Sequence, residues 1–181
     1  FYRKSVVKNA IFDRENTKTN TPCLIYTEIA DVEGFELQIL LKGGGSENVS
    51  AAQMLSPTAN EDEIVQYVVE AVKKAGSKAC PPYFIGLGIG GTLEHAVLLS
   101  KKALLLEKNI DKKHQGLAKK IQDEINKLNI GPAGLGGNST ALDVKILTDF
   151  THIACMPVAV TINCHSVRHA KSVINGKWKL E

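Results

Sequence analysis

The chain has 181 residues, 44% hydrophobic and 23% charged, with a formal net charge of +3 and a pI near 8.6. That balance suits a soluble globular chain of one domain or two small ones, large enough to bury a core without disulfide staples. Aromatic residues make up only 6% and the cations are spread out, which argues against nucleic-acid binding, since that needs clustered charge and stacking platforms.

No apolar stretch reaches the roughly 18 residues of a membrane-spanning helix. The opening Phe1-Tyr2-Arg3-Lys4 resembles neither a signal peptide nor a natural translation start, and suggests a fragment or a processed product. The four cysteines, Cys23, Cys80, Cys155 and Cys164, are too few for a disulfide scaffold. They point to a reducing, cytoplasmic setting in which thiols serve as core filler, metal ligands or catalysts.

Residues 5–20 read as irregular. Leu24 to Ile29 is strand-like, Asp31 to Gly34 is a turn, and Phe35 to Ile39 alternates as a half-buried strand does, which predicts an antiparallel pair. Lys42-Gly43-Gly44-Gly45-Ser46 follows, a glycine loop beside a cation that suits a carboxylate. Asn60 and Glu63 form a capping box before a helix carrying Ile64, Tyr67, Val68, Ala71 and Val72 on one face, and Gly76 ends it. Cys80-Pro81-Pro82 cannot continue a helix.

Tyr83 to Ile85 reads as a short strand leading into Gly86-Leu87-Gly88-Ile89-Gly90-Gly91-Thr92, then a helix over Leu93 to Leu106 and another over Gln115 to Leu128. Gly131 to Asn138 is a long glycine-rich loop. Ala141 to Leu147 and Pro157 to Ile162 are further strands, and Ser166 to Val173 has the pattern of a short helix. Paired, largely antiparallel strands with a block of helices define an α+β fold in a single domain.

Gly86, Gly88 and Gly91 match the dinucleotide-binding pattern, with Glu107 as a possible ribose ligand. On its own this pattern is short and weak. Cys80 sits in a rigid segment, and Cys164 sits where a strand gives way to a predicted helix, whose dipole would favour a thiolate. Both could equally be buried core thiols, the commonest fate of a free cysteine. Cys23 and Cys155 read as core. His165 and His169 share a predicted helix face, and Cys80, Cys164 and a histidine could make a zinc site.

Taken together and in order, Arg3-Lys4-Ser5-Val6-Val7, Lys42 to Asn48 (Lys-Gly-Gly-Gly-Ser-Glu-Asn), Cys80-Pro81-Pro82, Gly88 to Thr92, Gly134 to Gly137, Thr151-His152 and Asn163-Cys164-His165 carry a resemblance. The set resembles the α subunit, or N-terminal catalytic domain, of class I fumarases and L(+)-tartrate dehydratases, and it runs from one end of the chain to the other.

The resemblance implies a hydro-lyase with a [4Fe–4S] cluster on three cysteines, one iron being left free to act as a Lewis acid. Cys80 and Cys164 match two ligand positions. Arg3 and Gly45 would bind substrate carboxylate, and His152 would line the pocket as the nearest candidate base. The reaction implied is reversible hydration of a small dicarboxylic acid, fumarate to malate or the corresponding step on tartrate. The third ligand of the family lies in a Cys-Gln-Asp-Thr-Gly segment upstream of the opening arginine, and this chain has no such segment. A β subunit or C-terminal domain, and an oligomer, are also implied, so residues 1–181 alone are expected to be an inactive fragment. The alternative is a nucleotide- or zinc-binding module without hydratase activity.

Overall fold

The computed structural model describes residues 3–29, 34–166 and 168–174. Eleven elements run in chain order: β1 (Phe35–Leu41), α1 (Gly44–Glu47), β2 (Ala51–Leu55), α2 (Glu61–Ala75), β3 (Tyr83–Ile89), α3 (Leu93–Ala103), α4 (Lys112–Asn126), a 3-10 turn (Pro132–Gly134), β4 (Ala141–Thr148), β5 (Met156–Asn163) and β6 (Arg168–Ile174). The α+β expectation holds. By its contacts the chain divides into two compact units, one made by the N-terminal segment through Phe35 and the other by Glu36–Ile174.

In the larger unit a four-stranded sheet has the order β2-β5-β3-β4. β5 is antiparallel to both β2 and β3, and β3 is parallel to β4. Alternation along the central strands sorts the two faces. Tyr83, Ile85, Leu87, Val158, Val160 and Ile162 point into a core shared with Ile64, Val68 and Val72 of α2 and Ile121 and Ile125 of α4. The other face carries Gly86, Gly88 and Thr161 and is covered by α3, with the Thr161 Oγ1 2.7 Å from the Ser100 Oγ.

The helix ends follow the residues that the sequence puts there. Asn60 accepts from the Glu63 N–H at 3.1 Å while Glu63 returns to the Asn60 N–H at 2.9 Å, so the capping box is complete. The second long helix starts at Lys112 rather than Gln115, because the Asp111 side chain caps it.

Four local expectations fail. Leu24 to Ile29 forms no strand; Leu24 is 80% exposed and Ile29 fully so, so these side chains have no apolar surface to bury against. β1 pairs with β6 instead. The helix expected over Ser166 to Val173 does not form: Ser166 is in a turn and Arg168–Ile174 is the strand β6 paired with β1, so His165 and His169 share no helix face. Cys23 is exposed and Cys155 only half-buried, so neither is a core thiol. Most of the predicted turn, residues 31–33, lies outside the described residues.

Candidate functional site

The elements bring Cys80 and Cys164 to the same end of the β3–β5 pair. Phe84 lies opposite Asn163 in the register, so the residues entering β3 and those leaving β5 are neighbours. The His165 ring bridges the two segments, its Nδ1–H donating to the Cys80 carbonyl at 3.2 Å. Burial above all, with smaller contributions from the nearby Cys80 and Cys164, raises the Tyr83 phenol above its ordinary value, and its hydroxyl donates to the Gly76 carbonyl at 2.7 Å. Cys80 is exposed and adopts φ +56°, a left-handed conformation that costs a non-glycine residue about 1–2 kcal/mol.

Cys164 is half-buried. Burial pushes its thiol up, but hydrogen bonds from the Ser166 hydroxyl and backbone, and then from the Ser46 hydroxyl, outweigh that and hold it below the ordinary cysteine value. The Ser166 Oγ is 3.1 Å from the sulfur. The predicted helix dipole has no part in this, since a turn and then β6 follow. The sequence signal for Ser46 was present, at the end of the glycine run, but only the fold sets it against residue 164.

Around the thiols is a charged shelf. The Lys42 side chain is only 10% exposed and pairs with Glu47 at 3.1 Å, while Lys101 reaches the same carboxylate at 2.7 Å. Burial lowers the Lys42 amine, and Glu47 partly offsets this. Gly45 lies in α1 beside the segment leading to Cys80: a Cβ there would meet the Lys78 carbonyl oxygen at 3.3 Å, so the close approach favours glycine. Asn163 is 1% exposed, and both polar atoms of its amide lack a partner among the described residues.

His152 is elsewhere. It lies in the loop between β4 and β5, which is tied to the far end of β3: the Gly91 N–H donates to the Phe150 carbonyl at 2.8 Å, and Thr151 Oγ1 donates to the Gly91 carbonyl at 3.1 Å. Asp149 in the same loop meets His95 Nε2 at 2.8 Å. From Val158 to Asn163 the strand alone climbs roughly 17 Å, and His152 and Cys164 lie beyond its two ends. The Ala154 N–H donates to His152 Nδ1 at 3.1 Å, so the neutral ring presents Nε2–H, a donor. Arg3 is exposed in the irregular N-terminal unit, its carbonyl accepting from Ser5 Oγ at 3.2 Å.

Gly86 and Gly88 are required by helix packing, since a Cβ would meet the Ser100 carbonyl at 2.0 Å and the Ala96 carbonyl at 2.1 Å respectively. A zinc site needs three converging ligands, and among the described residues no three of His, Cys, Asp or Glu form such a group. No described helix is long and apolar enough to cross a membrane.

At one end of the sheet the fold thus gathers two thiols, the Lys42 and Lys101 amines around Glu47, and a buried amide without a partner among the described residues. The chain belongs to the fumarate hydratase (Fumerase) family, whose description matches residues 1–173. It is 43% identical over 165 residues to the "Putative L(+)-tartrate dehydratase subunit alpha" of Methanocaldococcus jannaschii, covering 87% of this chain and 58% of that protein. It is 30% identical over 178 residues to the L(+)-tartrate dehydratase subunit alpha of Escherichia coli K12, covering 94% of this chain and 59% of the relative. The chain thus spans a little under three fifths of the length of these curated relatives.

Proposed function

We propose that this chain is the cluster-binding part, spanning residues 1–181, of an iron–sulfur hydro-lyase that reversibly hydrates a small dicarboxylic acid, fumarate/malate or tartrate. It would work in the cytoplasm with a β subunit or C-terminal domain. Membership of the fumarate hydratase family and likeness to tartrate dehydratase α subunits support the reaction class. The observation that carries the cofactor is the meeting of Cys80 and Cys164 at one end of β3 and β5.

The donor set fits two corners of a cluster: soft thiols, one of them held below its ordinary value, beside the Lys42 cation and the unpaired amide of Asn163. A third thiolate has to come from outside this arrangement. When bound, the cluster would supply a Lewis-acidic iron for a substrate hydroxyl. Cys80 and Cys164 are its ligands in this scheme, and Gly45 and Arg3 hold substrate carboxylate.

His152 is the candidate acid–base group. Within one chain it is at the opposite end of β5 from the cysteines, farther than a small diacid reaches. In this scheme a second copy in the oligomer presents it to the cysteine end.

The test is anaerobic iron–sulfide reconstitution of the full-length protein with its partner, followed by iron analysis and assays on fumarate, malate and tartrate. A brown complex with hydro-lyase turnover is expected, with iron and turnover both lost in Cys80→Ser and Cys164→Ser. A colourless complex that retains no iron would sink the proposal.

A further inference from the structure

The backbone on both sides of Cys80 is anchored. Its N–H donates to the Ser77 carbonyl at 3.2 Å, and its own carbonyl accepts from the His165 ring at 3.2 Å. The next carbonyl, that of Pro81, accepts from the Ala133 N–H at 2.9 Å. Peptide units are planar, so fixing the two that flank an α-carbon fixes the direction of its Cα–Cβ bond. These hydrogen bonds therefore aim the thiol.

The anchors differ in what they tie together. Ser77 and Ala133 meet on one side of the turn, where Gly134 seats so closely that a Cβ on it would lie 2.4 Å from the Ser77 Cβ. Cys80 and Ala133 both hold left-handed backbones, at φ +56° and +55°, which persist only where the surroundings over-determine them. His165 reaches the turn from elsewhere. It follows Cys164 directly, just past the end of β5. Among the described residues, its bond to Cys80 is the one hydrogen bond between residues 80–82 and residues 164–166. His165 is exposed, so water competes for this bond and its net contribution to the fold is small.

We propose that His165 is a positioning residue for the two thiols, its Nδ1–H latching the Cys80 turn to the residue beside Cys164. This rests on the reading of Cys80 and Cys164 as cluster ligands given above. Thiols on latched turns meet an iron centre already arranged, whereas thiols on independent turns have to be ordered as it binds.

The experiment uses the full-length protein with its partner, in two states. After reconstitution, the rate of iron release to a chelator is measured. His165→Ala and His165→Phe are expected to release iron roughly tenfold faster than wild type, the scale for losing a group that orients a metal ligand. His165→Asn, whose amide keeps a donor on a short side chain, stays close to wild type. In the iron-free protein, dibromobimane bridges neighbouring thiols and peptide mapping locates the bridged pair. Cys80 is expected to be bridged to Cys164 in wild type and His165→Asn, and more slowly in His165→Ala and His165→Phe, with thermal unfolding near wild type in all of them. Iron release and bridging in His165→Phe equal to wild type overturn the latch, because the ring without its donor then suffices. That result leaves the cluster reading standing if iron is retained. Bridging that depends on His165, in a complex that takes up no iron, keeps the latch and removes the cluster reading.

Discussion

At the scale of single residues, the candidate site holds a strained backbone at Cys80 and an amide at Asn163 without a partner among the described residues. Cys80 holds φ +56°, a conformation that glycine adopts without cost. Cys80→Gly is therefore expected to stabilise the folded chain by about 1 kcal/mol while removing a proposed cluster ligand. Thermal unfolding should rise as iron retention after reconstitution falls, and a drop in both would show that the backbone there is not strained. Asp149 gives a pH-dependent counterpart. The Phe150 N–H, and then His95, hold its carboxyl below the ordinary value of 3.8. A depressed carboxyl stabilises the fold above its unfolded pKa and loses that contribution as pH falls through the folded one. The stability gap between wild type and Asp149→Asn should be open near neutral pH and close as pH falls below about 4, the ordinary carboxylate range. Denaturation curves across that span measure it, and a gap that widens in acid would reverse the assignment.

At the scale of elements, the close seating of α3 on β3 is the most demanding feature. Gly86 and Gly88 face the backbone of α3, and a Cβ on Gly88 would lie 2.1 Å from the Ala96 carbonyl and 2.5 Å from the Ser100 nitrogen. Neither backbone atom can swing aside as a side chain would. Gly88→Ala is expected to cost about 3 kcal/mol, the upper end of ordinary overpacking, whereas Asn60→Ala at the α2 cap costs about 1 kcal/mol. Urea unfolding of the two variants ranks them, and a milder effect at Gly88 than at Asn60 would mean that α3 can slide. The glycine pattern that looks like a nucleotide signature is, in this fold, the contact surface for a helix.

For the whole molecule, the decisive relation is the separation of His152 from the cysteines along β5. Phe150 and Ile153, beside His152, are 95% and 91% exposed, and the loop that carries them is tied down to Gly91 rather than free. If a second copy presents His152, full-length enzyme with Cys164→Ser and enzyme with His152→Ala should each lose activity by about 10² or more, the usual weight of an acid–base group or more. Co-refolding the two should restore up to about a quarter of wild-type activity, by the statistics of mixed pairs. No recovery in mixed oligomers, with each parent inactive, would place the histidine outside the shared site.

Much of this was legible before the fold. Apolar periodicity located α2, α3 and α4, the Asn60 cap set the start of α2, and the ordered segments from Arg3 to His165 pointed to the family. Those signals are local: a helix is specified by residues three and four apart, and a cap by residues three apart. Strand partnership is not local. Nothing within residues 166–173 says that β1 will capture them, and nothing within residues 24–29 says that no surface will be offered to them. The site followed the same division. The family resemblance named Cys80, Cys164, Arg3, Gly45 and His152. Only the register of β5 against β3 decided that the two thiols share an end, that Ser46 and Ser166 replace a helix dipole in holding Cys164 down, and that His152 faces the other way, because pairing fixes which distant residues meet.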